Sequence, residues 1–100
     1  MANIVCFQET KKGDIDSFFI RKIAPKKFDN FAYVPSLGAS GGLLIMWIGS
    51  QFIGRVVQQE IFGLVMEFQA KASLDTFTLV NVYGPCEGIE RENFIAWLFR

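Results

Sequence analysis

One hundred residues suit a single small domain, and 51% of this chain is hydrophobic, with eleven Phe among those residues. Such an apolar load excludes a chain that is disordered by composition. Ten basic residues balance ten acidic ones to zero formal charge, which excludes the strongly basic profile of a stand-alone nucleic-acid binder.

The first element is Ile4-Val5-Cys6-Phe7, a β-branched and aromatic run that reads as a buried strand. Lys11-Lys12-Gly13-Asp14 ends it, so the strand delivers Glu9 to the end of a sheet. In open α/β architectures ligands bind at strand ends, whereas a lone carboxylate at a strand end is on its own more often simply solvated or paired. Cys6 is expected to be a buried small hydrophobe. Its distance along the chain from Cys86 makes no zinc motif. The N-terminus lacks a charged region followed by a long apolar core, so no signal peptide is expected. An intracellular chain with reduced thiols follows from that expectation.

Asp14-Ile15-Asp16-Ser17 can cap a helix that carries Phe18, Phe19, Arg21 and Lys22 and stops at Pro25. Lys26 and Lys27 suit either a phosphate contact or a solvated bend. Phe31-Ala32-Tyr33-Val34 reads as a second strand, closed by Pro35-Ser36. The small-residue segment Pro35 to Gly42 then feeds the apolar run Leu43 to Trp47, and the third strand is read over Gly42 to Trp47. Its glycines allow a phosphate to approach the backbone, but the Lys that completes a P-loop is absent. The apolar stretch Leu43 to Ile48 is too short to span a bilayer, and no membrane partner is expected.

Phe52 to Gln58 and Ile61 to Gln69 read as an antiparallel pair. In the second, Phe62, Leu64, Met66 and Phe68 alternate with Gly63, Val65, Glu67 and Gln69, giving one buried face. Ser73-Leu74-Asp75-Thr76 turns the chain into Phe77-Thr78-Leu79-Val80-Asn81-Val82-Tyr83, which ends at Gly84-Pro85. Alternation places Phe77, Leu79, Asn81 and Tyr83 on one face. The amide of Asn81 and the phenol of Tyr83 can both bond a phosphate oxygen, and both equally suit a strand end that merely covers the core. Ile89 to Phe99 is expected to be helical, with Phe94, Trp97 and Leu98 packed on the sheet. The element order predicts an α+β domain over residues 1–100, a partial α/β sandwich with one mostly antiparallel sheet and flanking helices.

Three words, in order, carry a resemblance: Cys6-Phe7-Gln8-Glu9-Thr10-Lys11, Ser40-Gly41-Gly42-Leu43-Leu44-Ile45-Met46-Trp47 and Asn81-Val82-Tyr83-Gly84-Pro85. With Arg91-Glu92-Asn93-Phe94 to Trp97-Leu98, they resemble the endonuclease/exonuclease/phosphatase superfamily. The nearest likeness is to the endonuclease domain of plant non-LTR (LINE-type) retrotransposons. This resemblance implies a Mg²⁺-dependent hydrolase acting on phosphodiesters. It implies that Glu9 is the metal ligand, that Tyr83 is the catalytic tyrosine at the scissile phosphate, and that Asn81 supports phosphate binding. DNA is the partner implied for a complete domain, and the nucleus is the compartment.

Departures from the family pattern shape the expectation further. Only Met1-Ala2-Asn3 precedes the first strand, so the family's early Asn has no counterpart. No Gly-Asp-Phe-Asn-like segment or Asp-His pair follows Tyr83, and the chain contains no His at all. The expectation is therefore a truncated domain, inactive alone, whose exposed apolar surface favours self-association. The alternative is a non-catalytic interaction module that keeps part of the sheet.

Overall fold

A computed structural model of the chain describes residues 3–37 and 41–82. Seven elements follow in order: β1 (Ile4–Gln8), α1 (Ser17–Ile23), β2 (Asn30–Val34), β3 (Leu43–Trp47), β4 (Phe52–Glu60), β5 (Gly63–Ala70) and β6 (Thr76–Val82). They form two three-stranded antiparallel sheets, ordered β1-β3-β2 and β4-β5-β6.

Each sheet has its most apolar strand in the middle. β3 is buried at all five positions, as a strand covered on both faces must be. One face of it, Leu43, Ile45 and Trp47, packs with Val34 against Leu64, Met66 and Phe68 of β5, which forms the core between the sheets. The other face, Leu44 and Met46, packs with Ile48, Phe28, Ile15 and Ile20, the last of these from α1. The molecule is thus layered as helix, sheet, sheet. At one end of the inter-sheet core Trp47 meets Phe68 edge to face, with centroids 5.2 Å apart at 81°. Phe52 and Phe77 complete that aromatic end.

Local chemistry sets the boundaries. Asp16 caps α1 by accepting from the Phe19 N–H at 2.9 Å. Pro25 disfavours helical backbone at Ala24, which is extended at φ −141° and ψ 154°. Asp29 accepts from the Gly49 N–H at 2.8 Å and from the Asn30 amide at 3.0 Å, holding the turn between β3 and β4. Those two bonds hold the Asp29 carboxyl below its ordinary pKa, the Gly49 bond first. A bulge between Val56 and Gln58 interrupts the pairing of β4 with β5.

Antiparallel pairing agrees with expectation, but the expected single sheet is corrected to two stacked ones. The turn at Ile48–Phe52, closed by bonds from Gln51 and Phe52 N–H to the Ile48 carbonyl, carries the chain out of one sheet into the other. Flanking helices are represented by α1 alone among the described residues, and the helix predicted for 89–99 lies outside them. Two further expectations about β1 are also corrected. Its second half is exposed, and Cys6 is exposed with it. Among the described residues β1 pairs only with β3 and forms a sheet edge, so no second neighbour there buries it. Partial desolvation still pushes the Cys6 thiol above its ordinary pKa.

Candidate functional site

The site begins where β1 ends. Glu9 and Lys11 take left-handed backbone, at φ 52° and 56°, a conformation that is uncommon outside glycine. These two residues turn the chain onto the loop that precedes β3. Thr10 N–H donates to the Gly42 carbonyl at 3.2 Å, and Lys11 N–H donates to that of Gly41 at 2.9 Å. Gly41 and Gly42 are both buried and both at positive φ, 80° and 95°. A Cβ on Gly42 would overlap the Thr10 hydroxyl oxygen. The backbone that the sequence offers for phosphate approach is spent here on the Glu9 turn. Glu9 itself is exposed and forms no hydrogen bond or ion pair among the described residues.

Asn81 lies on the inner face of β6, paired with Leu64, and is only 3% exposed. Its amide donates to the carbonyl of Phe7 at 3.1 Å and to that of Leu44 at 3.2 Å. Its carbonyl accepts from the Gln8 side chain at 3.4 Å, and Gln8 also donates to the Val82 carbonyl. These contacts clasp the edge strand of one sheet to the edge strand of the other. At the opposite edge Gln59 donates to the Tyr33 carbonyl at 3.4 Å. Asn81 therefore has both amide hydrogens engaged within the fold, leaving none for a phosphate in this arrangement.

The structure brings the Glu9 end of β1 beside the Asn81 end of β6. Tyr83, the third candidate, lies outside the described residues. Gln8 is the participant that sequence reasoning missed. Its signal was its parity with Ile4 and Cys6, which puts it on the same strand face as residues packed toward the second sheet.

A divalent cation needs several oxygen donors. Glu9 supplies one carboxylate, and the Gln8 and Asn81 amides beside it are already bonded. No group of three or more His, Cys, Asp or Glu side chains gathers among the described residues. The described donors do not fit a resident metal ion. No helix among the described residues is long and apolar enough to cross a membrane. No family model, curated protein or solved structure matches the chain.

Proposed function

We infer that this chain is an endonuclease-like phosphodiesterase domain of the endonuclease/exonuclease/phosphatase type that does not cleave on its own. The observation that carries the reading is the meeting of the Glu9 end of β1 with the Asn81 end of β6, where Gln8 reaches Asn81 and Val82. It supports a site at one sandwich edge, where an acidic strand end meets the strand that leads to Tyr83. Two stacked antiparallel sheets with a helix outside are in keeping with it. The left-handed Glu9 supports it too, because strained backbone collects at functional sites.

In this reading DNA is the partner of a complete domain, Mg²⁺ the ion such a domain would hold, and the nucleus the compartment if that role is retained. Affinity for both ligands is weak. The chain is neutral overall, which weakens DNA binding, and with no His it lacks the general base that cleavage would use. Self-association belongs to the same reading, since Ile53 and Val80 are 55% and 49% exposed on the outer face of the second sheet. A non-catalytic module is the second reading, favoured by the commitment of Gln8 and Asn81 to the fold.

Supercoiled plasmid with Mg²⁺ tests cleavage. Nicking should not exceed that of a Glu9→Ala control, and nicking above the control overturns the non-cleaving reading. Mn²⁺ titration with NMR detection tests the site. Paramagnetic broadening should centre on Glu9 and its neighbours, and broadening centred on Glu60 or Glu67 removes the assignment.

A further inference from the structure

We propose that the cleft between α1 and the start of β2 binds a nucleoside 5′-phosphate. This cleft, of about 310 Å³, is lined by Ser17, Ile20, Arg21, Lys26, Phe28, Asp29 and Phe31. Its volume falls at the lower end of the range for small-molecule sites, about 300–1,000 Å³. It is far from Glu9. Phe31 pairs with Met46 and Asn30 with Trp47, at one end of β3, whereas Gln8 pairs with Leu43 at the other end and on the other side of β3. The inference therefore stands apart from the reading of Glu9.

Three chemistries meet in the cleft. Arg21 and Lys26 are exposed cations, and neither forms an ion pair among the described residues. A guanidinium and an ammonium lining one cleft suit the oxygens of a phosphate monoester. Ile20 and Phe28 are buried, and Phe31 is half-buried. Ile20 and Phe28 lie in the core beneath the cleft, so the apolar wall it offers a planar ring is chiefly the half-buried ring of Phe31, and stacking on an aromatic side chain is tolerant of base identity. Asp29 adds a carboxylate held in its charged form. The bonds from Gly49 and Asn30 both fall on Oδ1, so Oδ2 remains able to accept from a ligand donor.

That combination selects among anions. A bare phosphate would gain the two cations but would face Asp29 and leave the apolar wall wet. A nucleotide places its phosphate on Arg21 and Lys26, its ring on Phe31, and a sugar hydroxyl or exocyclic amine on Asp29. The same chemistry comes from a free mononucleotide or from the phosphorylated end of a single strand.

The test is amide NMR of the whole chain, with AMP, inorganic phosphate and a 5′-phosphorylated oligonucleotide as separate probes. AMP should shift the amides of Ser17, Arg21, Phe28, Asp29 and Phe31 and leave that of Glu9 unmoved. An Arg21→Ala, Lys26→Ala double variant should weaken binding about a hundredfold, the loss of two charge-assisted hydrogen bonds at about tenfold each. Its melting temperature should not change, because both side chains are exposed. If the double variant does not fold, Arg21→Gln alone should still weaken AMP severalfold. Shifts of the same amides by the oligonucleotide but not by AMP would assign the site to a strand end. The proposal is overturned if neither nucleotide probe shifts these amides, if phosphate binds as tightly as AMP, or if the variants bind undiminished.

Discussion

The side chain of Asn81 donates to the main-chain carbonyl of Phe7, 74 positions earlier in the chain, and so fastens the last strand of one sheet to the first strand of the other. A second bond, to Leu44, is fully buried. The role this gives Asn81 is structural, whatever ligand approaches the nearby strand ends.

Asn81→Leu should therefore lower stability by about 1–3 kcal/mol, the penalty for leaving a buried acceptor unsatisfied. Urea unfolding monitored by circular dichroism reads the loss. A variant as stable as the parent would show that the clasp contributes nothing.

Gly54→Val should destabilise by about 1–3 kcal/mol through overpacking. A Cβ there would lie 2.8 Å from Phe68 Cε1 and 2.8 Å from Trp47 Cζ2. Both rings belong to the packed inter-sheet core and have little room to withdraw. The expected signature is a lower denaturation midpoint together with a changed near-UV spectrum as Trp47 leaves its edge-on contact.

Glu9→Gly should raise stability by about 1 kcal/mol, since left-handed backbone costs an L-residue about that much. The same substitution should abolish Mn²⁺ broadening at this turn. Glu9→Val should destabilise instead. Opposite effects on folding and on ion contact would show that the carboxylate is kept at the expense of backbone comfort.

Stability should fall with acid in a way that depends on Asp29. Its folded pKa is depressed, first by the Gly49 N–H and then by the Asn30 amide. Between the folded and unfolded pKa values the unfolded chain binds more protons, so stability rises with pH there. The contribution is complete above the unfolded value of about 4 and disappears as pH drops through the folded value. Thermal melts of Asp29→Asn should show a smaller loss on acidification than melts of the parent.

Much of the second sheet was legible because its signals are local. Phe62, Leu64, Met66 and Phe68 alternate strictly, and all four are buried. The inward face of β6 was equally readable, with Leu79 and Asn81 turned to the core and Thr78 and Val80 outward. The division into two sheets was not legible, because it turns on the Ile48–Phe52 crossover, whose Gly49 is held by Asp29 from 20 positions away. The edge position of β1 was hidden for a similar reason. A five-residue apolar strand looks the same whether it has one neighbour or two. For the candidate site, period-2 alternation gave the correct face for Asn81, while its partners Phe7 and Leu44 belong to no local pattern. The left-handed turn at Glu9 was also silent, since Glu and Lys are not the residues that advertise such backbone.

The way the strands are joined also sets an order of assembly. β4, β5 and β6 are chain neighbours linked by short turns, so their pairing closes small loops. β1 must instead find β3 across the whole α1–β2 excursion. Loop-closure entropy favours the meander as the early nucleus and delays the first sheet. The Asn81–Phe7 clasp, which needs both sheets in place, is expected to form last. Substitutions at Met66 should then slow refolding, whereas substitutions at Asn81 should chiefly hasten unfolding. On this expectation Asn81 is a kinetic latch at one edge of the sandwich, governing how long it stays shut more than how quickly it is built.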